Sequence, residues 1–167
     1  KAFGDYIAVD GLSIRVNAGT VCGFLGPNGA GKTTTMRMIA GIIAPTKGEV
    51  LVNGLSVATH PVDTKRVVGY VPDRPYLYEK LTAFEYLEFV SGLYGLDVNI
   101  AQADAERLLT LFGLSDVMHH EIESYSHGMK QRLVMSSVLL CKPKLMVVDE
   151  PMVGLDPNGA RLLKDVL

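Results

Sequence analysis

The sequence contains no tryptophan and two cysteines, Cys22 and Cys141, in 167 residues. So few thiols exclude a disulfide framework, and the apolar surroundings of both predict reduced core thiols in a cytosolic protein. No apolar run approaches the roughly 18 residues that a transmembrane helix needs, so the domain is not expected to cross a membrane itself. The opening Lys1-Ala2-Phe3 does not read as a signal peptide. An excess of positive charge is missing as well. Sixteen Lys+Arg stand against 18 Asp+Glu, a formal net charge of -2, which lacks the basic footprint of duplex binding; nucleic acid is not an expected partner. Repeats and low-complexity stretches are absent. What the chain does have is apolar mass: 48% of residues are hydrophobic and the mean hydropathy is +0.22. This fits one globular domain and predicts surface that a partner, or elements beyond the chain, would cover.

The order of elements follows from periodicity and turn chemistry. Leu12, Ile14 and Val16 alternate with polar neighbours, as in a half-buried strand, and Asn17-Ala18-Gly19 turns into an apolar strand over Val21–Leu25. A glycine-rich loop, Gly26–Gly31, leads to a helix over Lys32–Ala40 that Gly41 stops. Asn53-Gly54 between two short apolar runs predicts a hairpin. Val67–Val71 reads as a strand ending at Pro72, after which the character becomes helical. Thr82-Ala83-Phe84-Glu85 is a capping-box pattern opening a helix that Gly95 ends. Further helices are predicted over Ala103–Phe112 and Gly128–Leu140, then a strand over Leu145–Val148. The order suggests an α/β core interrupted by a mostly helical insert, roughly Pro75–Cys141.

Gly26-Pro27-Asn28-Gly29-Ala30-Gly31-Lys32-Thr33 satisfies G-x-x-x-x-G-K-[ST] between a predicted strand and a predicted helix. There, backbone N–H groups and the helix dipole converge on an anion. The glycines permit the turn and the close approach of phosphate oxygens; Lys32 would supply charge to the β- and γ-phosphates and Thr33 a hydroxyl ligand for Mg²⁺. An ordinary glycine-rich turn is the alternative. Leu145–Val148 delivers two adjacent carboxylates, Asp149 and Glu150, at a strand's end. Alone these read as a solvated strand end; beside a phosphate loop, Asp149 can hold Mg²⁺ and Glu150 can take a proton from attacking water. Ser126 is a candidate N-cap for the helix after it, and the small Gly128 would let amides face an anion, although a merely capped helix fits equally.

With these motifs in this order, the chain resembles the nucleotide-binding domain of an ABC transporter. The resemblance is carried by Gly-Pro-Asn-Gly-Ala-Gly-Lys-Thr-Thr at 26–34, Tyr-Ser-His-Gly-Met at 125–129 in place of Leu-Ser-Gly-Gly-Gln, and Asp-Glu-Pro with Gly-Leu-Asp at 149–156. The runs Gly128–Leu133 and Gly154–Pro157 are most similar to bacterial or archaeal ABC-2 type exporters. The resemblance implies a P-loop NTPase fold with an antiparallel β part and a helical insert. Residues 1–74 and 142–167 would form the ATP-binding core and 75–141 the helical subdomain. ATP would lie on residues 26–34, with Thr34 completing the loop, and Phe3 would stack on adenine unless it is simply a packed aromatic. Tyr125, Ser126, His127, Gly128 and Met129 would form the signature segment, with Ser126 and Gly128 reaching the γ-phosphate of an ATP held by a second subunit. Asp156 would lie in the segment linking the two sites. Asp73 falls where the family has glutamine and retains a carboxylate for Mg²⁺; His127 and Met129 stand for glycine and glutamine.

The implied protein is an ATPase at the cytoplasmic face of the cell membrane, paired with a second nucleotide-binding subunit and a separate transmembrane permease. The rivals are an ATP-binding-only fragment and a non-transport ABC ATPase, the latter normally carrying coiled coils or a second nucleotide domain. The family's further strands at both ends make the chain an expected partial domain, weakly active or inactive alone. Ala160–Leu167 begins an expected amphipathic helix. His119-His120-Glu121 reads as a solvated loop rather than a metal site, since adjacent residues project differently. Tyr76, Tyr78, Phe84, Tyr86 and Phe89 are expected mostly in the core of the helical insert, some being exposed for the membrane subunit. Arg66, Arg74 and Arg107 read as surface.

Overall fold

The computed structural model describes residues 1–149, arranged in two compact units, residues 1–68 and residues 69–149. The expectations for Glu150, Asp156 and the helix at 160–167 lie outside the described residues. No helix of the described residues is long and apolar enough to cross a membrane.

In the first unit, β1 (Ala2–Phe3) and β2 (Tyr6–Ile7) pair antiparallel, with Ala2 opposite Ile7 and Phe3 opposite Tyr6. Helix α1 spans Lys32–Ile39. The Asn-Gly hairpin forms as its chemistry demands: Asn53 and Gly54 take φ of 52° and 79°, the left-handed pair that suits the strand twist. It joins β3 (Leu51–Val52) to β4 (Leu55–Ser56). Helix α2 (Pro61–Val67) packs back on β4 and was not expected. Its signals are local and polar: proline in the first turn, Asp63 beside it, and Lys65 and Arg66 in the last turn. Its single buried residue is Thr64, so no apolar stripe announces it.

The strands expected over Leu12–Val16 and Val21–Leu25 do not form; these segments are irregular and largely exposed, Leu25 to 94%. Alternation sorts side chains onto two faces, but a strand also needs a backbone partner for its N–H and C=O groups. No ladder among the described residues includes either segment. Cys22, expected in the core, is consequently exposed.

In the second unit, β5 (Val68–Val71) pairs with β6 (Leu145–Val148), and α3 (Ala83–Tyr94), α4 (Val98–Leu111) and α5 (His127–Leu140) lie between them in the chain. The capping box at Thr82 is complete, with the Glu85 amide donating to Thr82 Oγ1 at 3.2 Å and Thr82 N donating to Glu85 Oε2 at 2.8 Å. Helix α4 starts five residues before the expected Ala103, where Asp97 Oδ1 accepts from the Ile100 amide. Leu87, Leu109, Phe112, Leu114, Ile122 and Leu133 build the core that the three helices share. Of the five aromatics expected mostly inside, Phe84 and Tyr86 pack against this core, whereas Tyr76, Tyr78 and Phe89 are exposed. Tyr78 and Phe89 instead meet edge to face, centroids 5.3 Å apart. His119 and His120 are exposed, and no cluster of metal-ligating side chains occurs among the described residues.

The two cysteines therefore stand in opposite environments. Burial pushes the Cys141 thiol up to about 11, leaving on the order of one thiolate in a thousand at pH 8. Brief treatment of the native protein with a thiol-alkylating reagent at pH 8 should label Cys22, with Cys141 labelled only after denaturation; peptide mass spectrometry reads both sites.

Candidate functional site

Helix α1 begins differently from its neighbours. Helices α3, α4 and α5 have side-chain caps, Thr82, Asp97 and Ser126, which accept from first-turn amides. The N-cap of α1 is Gly31, which offers no side chain, so the opening amides of Lys32, Thr33 and Thr34 keep their pull for an outside acceptor. Gly31 is in the left-handed region at φ 84°, and a Cβ there would lie 2.3 Å from the Ala8 carbonyl oxygen. Steric space and dihedral both demand glycine.

The preceding loop is built on a turn in which the Ala30 amide donates to the Pro27 carbonyl at 3.3 Å and Gly29 supplies the positive φ, 81°. Gly26, Pro27, Asn28, Gly29 and Ala30 are all exposed. The Lys32 ammonium folds over this loop, donating to the Gly26 carbonyl at 2.8 Å and the Pro27 carbonyl at 2.9 Å. An ammonium has three donors, so one hydrogen remains to meet an anion in the loop. Thr35 anchors the first turn from below, its hydroxyl donating to the Gly31 carbonyl at 2.9 Å, while Thr33 and Thr34 are half-buried. In the same unit Phe3 is exposed, and its ring face carries the Lys1 ammonium at 4.9 Å from the centroid.

The second unit holds the two aspartates expected at the metal. Asp149 follows β6, is 2% exposed, and its amide donates to the Val71 carbonyl at 2.9 Å. Its Oδ2 is buried with no hydrogen-bond donor among the described residues. A buried carboxylate oxygen left so is costly; a hard cation or its bound water would satisfy it, and the carboxylate is of the oxygen-donor kind that Mg²⁺ takes. Asp73, half-buried, lies two residues beyond Val71 on the same backbone run.

The segment 125–129, expected as the signature, is anchored at both ends. Tyr125 points into the core, its hydroxyl donating to the Val117 carbonyl at 2.7 Å, and so holds the segment rather than facing a ligand. Ser126 and His127 are exposed; the Ser126 hydroxyl accepts from the Met129 amide at 3.3 Å, and Met129 packs on the core. Gly128 is half-buried in the first turn of α5.

The sequence reading missed two residues that organise this region. Gln131, 1% exposed, donates from Nε2 to the Pro72 carbonyl at 3.1 Å, and Arg132 donates to the Phe112 carbonyl at 2.9 Å, closing the C-terminus of α4. A fully buried amide or a guanidinium aimed inward leaves no periodic trace. The detectable signal was a polar triplet, Lys130-Gln131-Arg132, interrupting the apolar face of a helix.

A family model described as ABC transporter matches residues 9–153. The linearmycin resistance ATP-binding protein LnrL of Bacillus subtilis is 40% identical over 159 residues, 95% of this chain and 51% of that protein. The chain spans about half the length of the curated relatives it matches first. Among solved structures, cbiO1 of Clostridium perfringens, described as part of the ABC transporter complex cbiONQ, superposes with a TM-score of 0.79 at 25% identity, covering 95% of this chain and 66% of that one. The dimeric post-hydrolysis state of the ATP-binding cassette MJ0796, bound to ADP and Pi, gives a TM-score of 0.74 at 26% identity over 84% of this chain and 66% of that one. The mixed helix-and-strand fold is thus that of ABC ATPase nucleotide-binding domains.

The loop geometry separates two glycines of equal dihedral. Gly29→Ala meets open space and should cost only the left-handed strain, about 1–2 kcal/mol. Gly31→Ala adds the collision with the Ala8 carbonyl and should cost clearly more. Urea midpoints of the two variants check the order; equal losses would contradict the crowding at Gly31.

Proposed function

Because the chain belongs to the ABC transporter family, we propose that it is the ATP-binding and ATP-hydrolysing part of a transporter, powering transport by a separate membrane subunit. The observation that carries this reading is the start of α1: a glycine-capped helix whose free-facing amides and Lys32 ammonium converge on an exposed loop. In this reading residues 26–34 cradle the phosphates and Lys32 exchanges its loop carbonyls for the β- and γ-phosphate oxygens. Thr33, Asp73 and Asp149 would serve Mg²⁺, a cation that typically keeps waters and takes one or two carboxylates beside phosphate. Bound there, Mg²⁺ would neutralise charge on the transferring phosphoryl group. Glu150 would deprotonate or orient the attacking water, and the exposed face of Phe3 would receive adenine.

Two copies would meet head to tail, each presenting Ser126, His127 and Gly128 to the nucleotide on its partner, with Asp156 between the sites. The dimeric state of MJ0796 supports the pairing of two copies. The description of cbiO1 as part of a transporter complex supports a membrane partner, and hence a place at the cytoplasmic face of the membrane. The likeness to a resistance ATP-binding protein supports an ABC-2 type exporter. The division into an ATP-binding core at 1–74 and 142–167 and a helical subdomain at 75–141 belongs to the same proposal.

Replacing the ammonium tests the central claim. Charge-assisted hydrogen bonds contribute about 1.5–3 kcal/mol, so Lys32→Ala in the full-length protein should weaken Mg·ATP binding roughly tenfold to a hundredfold by calorimetric titration. Unchanged affinity would dismiss the phosphate-loop assignment. Glu150→Gln should retain ATP affinity yet lower the turnover number by about 10²-fold or more, with an ATP-bound dimer accumulating in sedimentation. Undiminished phosphate release by that variant would remove Glu150 from the chemistry.

A further inference from the structure

The backbone that leads into Asp73 is held by two hydrogen bonds from elsewhere in the second unit. The Asp149 amide donates to the Val71 carbonyl at 2.9 Å, and Gln131 Nε2 donates to the Pro72 carbonyl at 3.1 Å. A peptide unit is planar, so the first bond orients the plane entering Pro72 and the second the plane entering Asp73. Between them stands Pro72, whose ring fixes its own φ. Little freedom remains before the Asp73 Cα. The carboxamide orientation is also settled chemically, since the Pro72 carbonyl is an acceptor and only the NH₂ end of Gln131 can meet it.

Gln131 lies on α5, five residues after Ser126, or about 7.5 Å along the axis. Its neighbours hold that turn in place. Lys130 pairs with Glu79 at 2.5 Å and Arg132 holds the Phe112 carbonyl, so three consecutive side chains of one turn grip three separate segments. Of these only Gln131 reaches the run that carries a proposed metal ligand. Gln131 is 1% exposed and its Oε1 accepts from no donor among the described residues. Burying a half-satisfied amide costs more than an apolar side chain would, so the bond to the Pro72 carbonyl offsets a cost that an apolar residue would avoid.

We propose that Gln131 is a positioning residue, whose bond to the Pro72 carbonyl sets Asp73 at the metal according to where α5 places Ser126. The signature segment and the metal side of the site are then aligned together. This rests on the ATP-hydrolysing role proposed above and adds to it a residue that touches neither nucleotide nor metal.

The test is a double-mutant cycle in the full-length protein, measuring Mg·ATP turnover with thermal melting alongside. Gln131→Leu removes the donor with little change of volume and should lower kcat about tenfold while KM moves less than about threefold. Asp73→Ala should also lower kcat, and adding Gln131→Leu to it should cost almost nothing more, because the residue acts through Asp73. Losses that multiply, or a lowered melting temperature with kcat intact, would overturn the proposal and leave Gln131 a core residue. Gln131→Met, unbranched, carries the same cycle if the leucine variant does not fold; failure of both to fold likewise assigns a purely structural role. A parent that neither binds nor hydrolyses ATP overturns the proposed function itself, and this inference with it, whereas an active parent with an additive cycle overturns the inference alone.

Discussion

Every α-helix opens with amides that no carbonyl inside it can reach, and the way each helix here disposes of them divides scaffold from site. Thr82, Asp97 and Ser126 spend a side chain on the problem, a gain of about 1 kcal/mol apiece. Helix α2 begins with proline, which has one amide fewer to satisfy. Helix α1 does neither. Its cap is a glycine that the Ala8 carbonyl forbids from ever becoming a capping residue, so the deficit is permanent and can be met only from outside. The Lys32 ammonium adds positive charge to the same place. The local stability forgone there is what an anion would supply on binding.

The second unit follows the opposite rule, satisfying its polar groups internally wherever a segment must keep its position. Tyr125 reaches Val117, Arg132 reaches Phe112, and the Ser136 and Ser137 hydroxyls donate back to carbonyls of α5 itself. Between Leu81 and Ile122 and between Glu79 and Glu123 the backbone pairs directly, which fastens the segment before α3 to the segment before α5. Against this background the buried Gln131 Oε1 and Asp149 Oδ2 stand out as acceptors with no donor among the described residues.

Much of this was legible because it is written locally. The Asn53-Gly54 hairpin, the Thr82 capping box and the Gly41 and Gly95 stops each depend on residues within a few positions of one another, and each took the form that its chemistry requires. Failures came where a partner distant in sequence decides. Leu12–Val16 alternates and Val21–Leu25 is an apolar run, both as strands can be, but neither joins a ladder among the described residues. Of the five aromatics expected mostly inside, Tyr76, Tyr78 and Phe89 are exposed, because hydrophobicity does not oblige burial. Helix α2 carries proline and charge signals without an apolar stripe. Within the site, the loop could be read from its spacing, while the bond from Gln131 to Pro72 joins residues 59 apart and has no signature in the sequence.

Helix α5 carries the exposed Ser126 at one end, yet Gln131, Leu133, Val134, Met135, Ser136, Ser137 and Leu140 are all buried. A helix enclosed on so many sides cannot roll about its own axis or slide by a residue without colliding with close-packed neighbours. It has to travel as a rigid rod fixed to its surroundings. Pressure applied to the exposed serine would therefore be delivered several residues away, through Arg132 to the end of α4 and through Lys130 to Glu79. A load on that exposed turn is thus shared among the contacts of Lys130, Gln131 and Arg132 and is not absorbed within the helix.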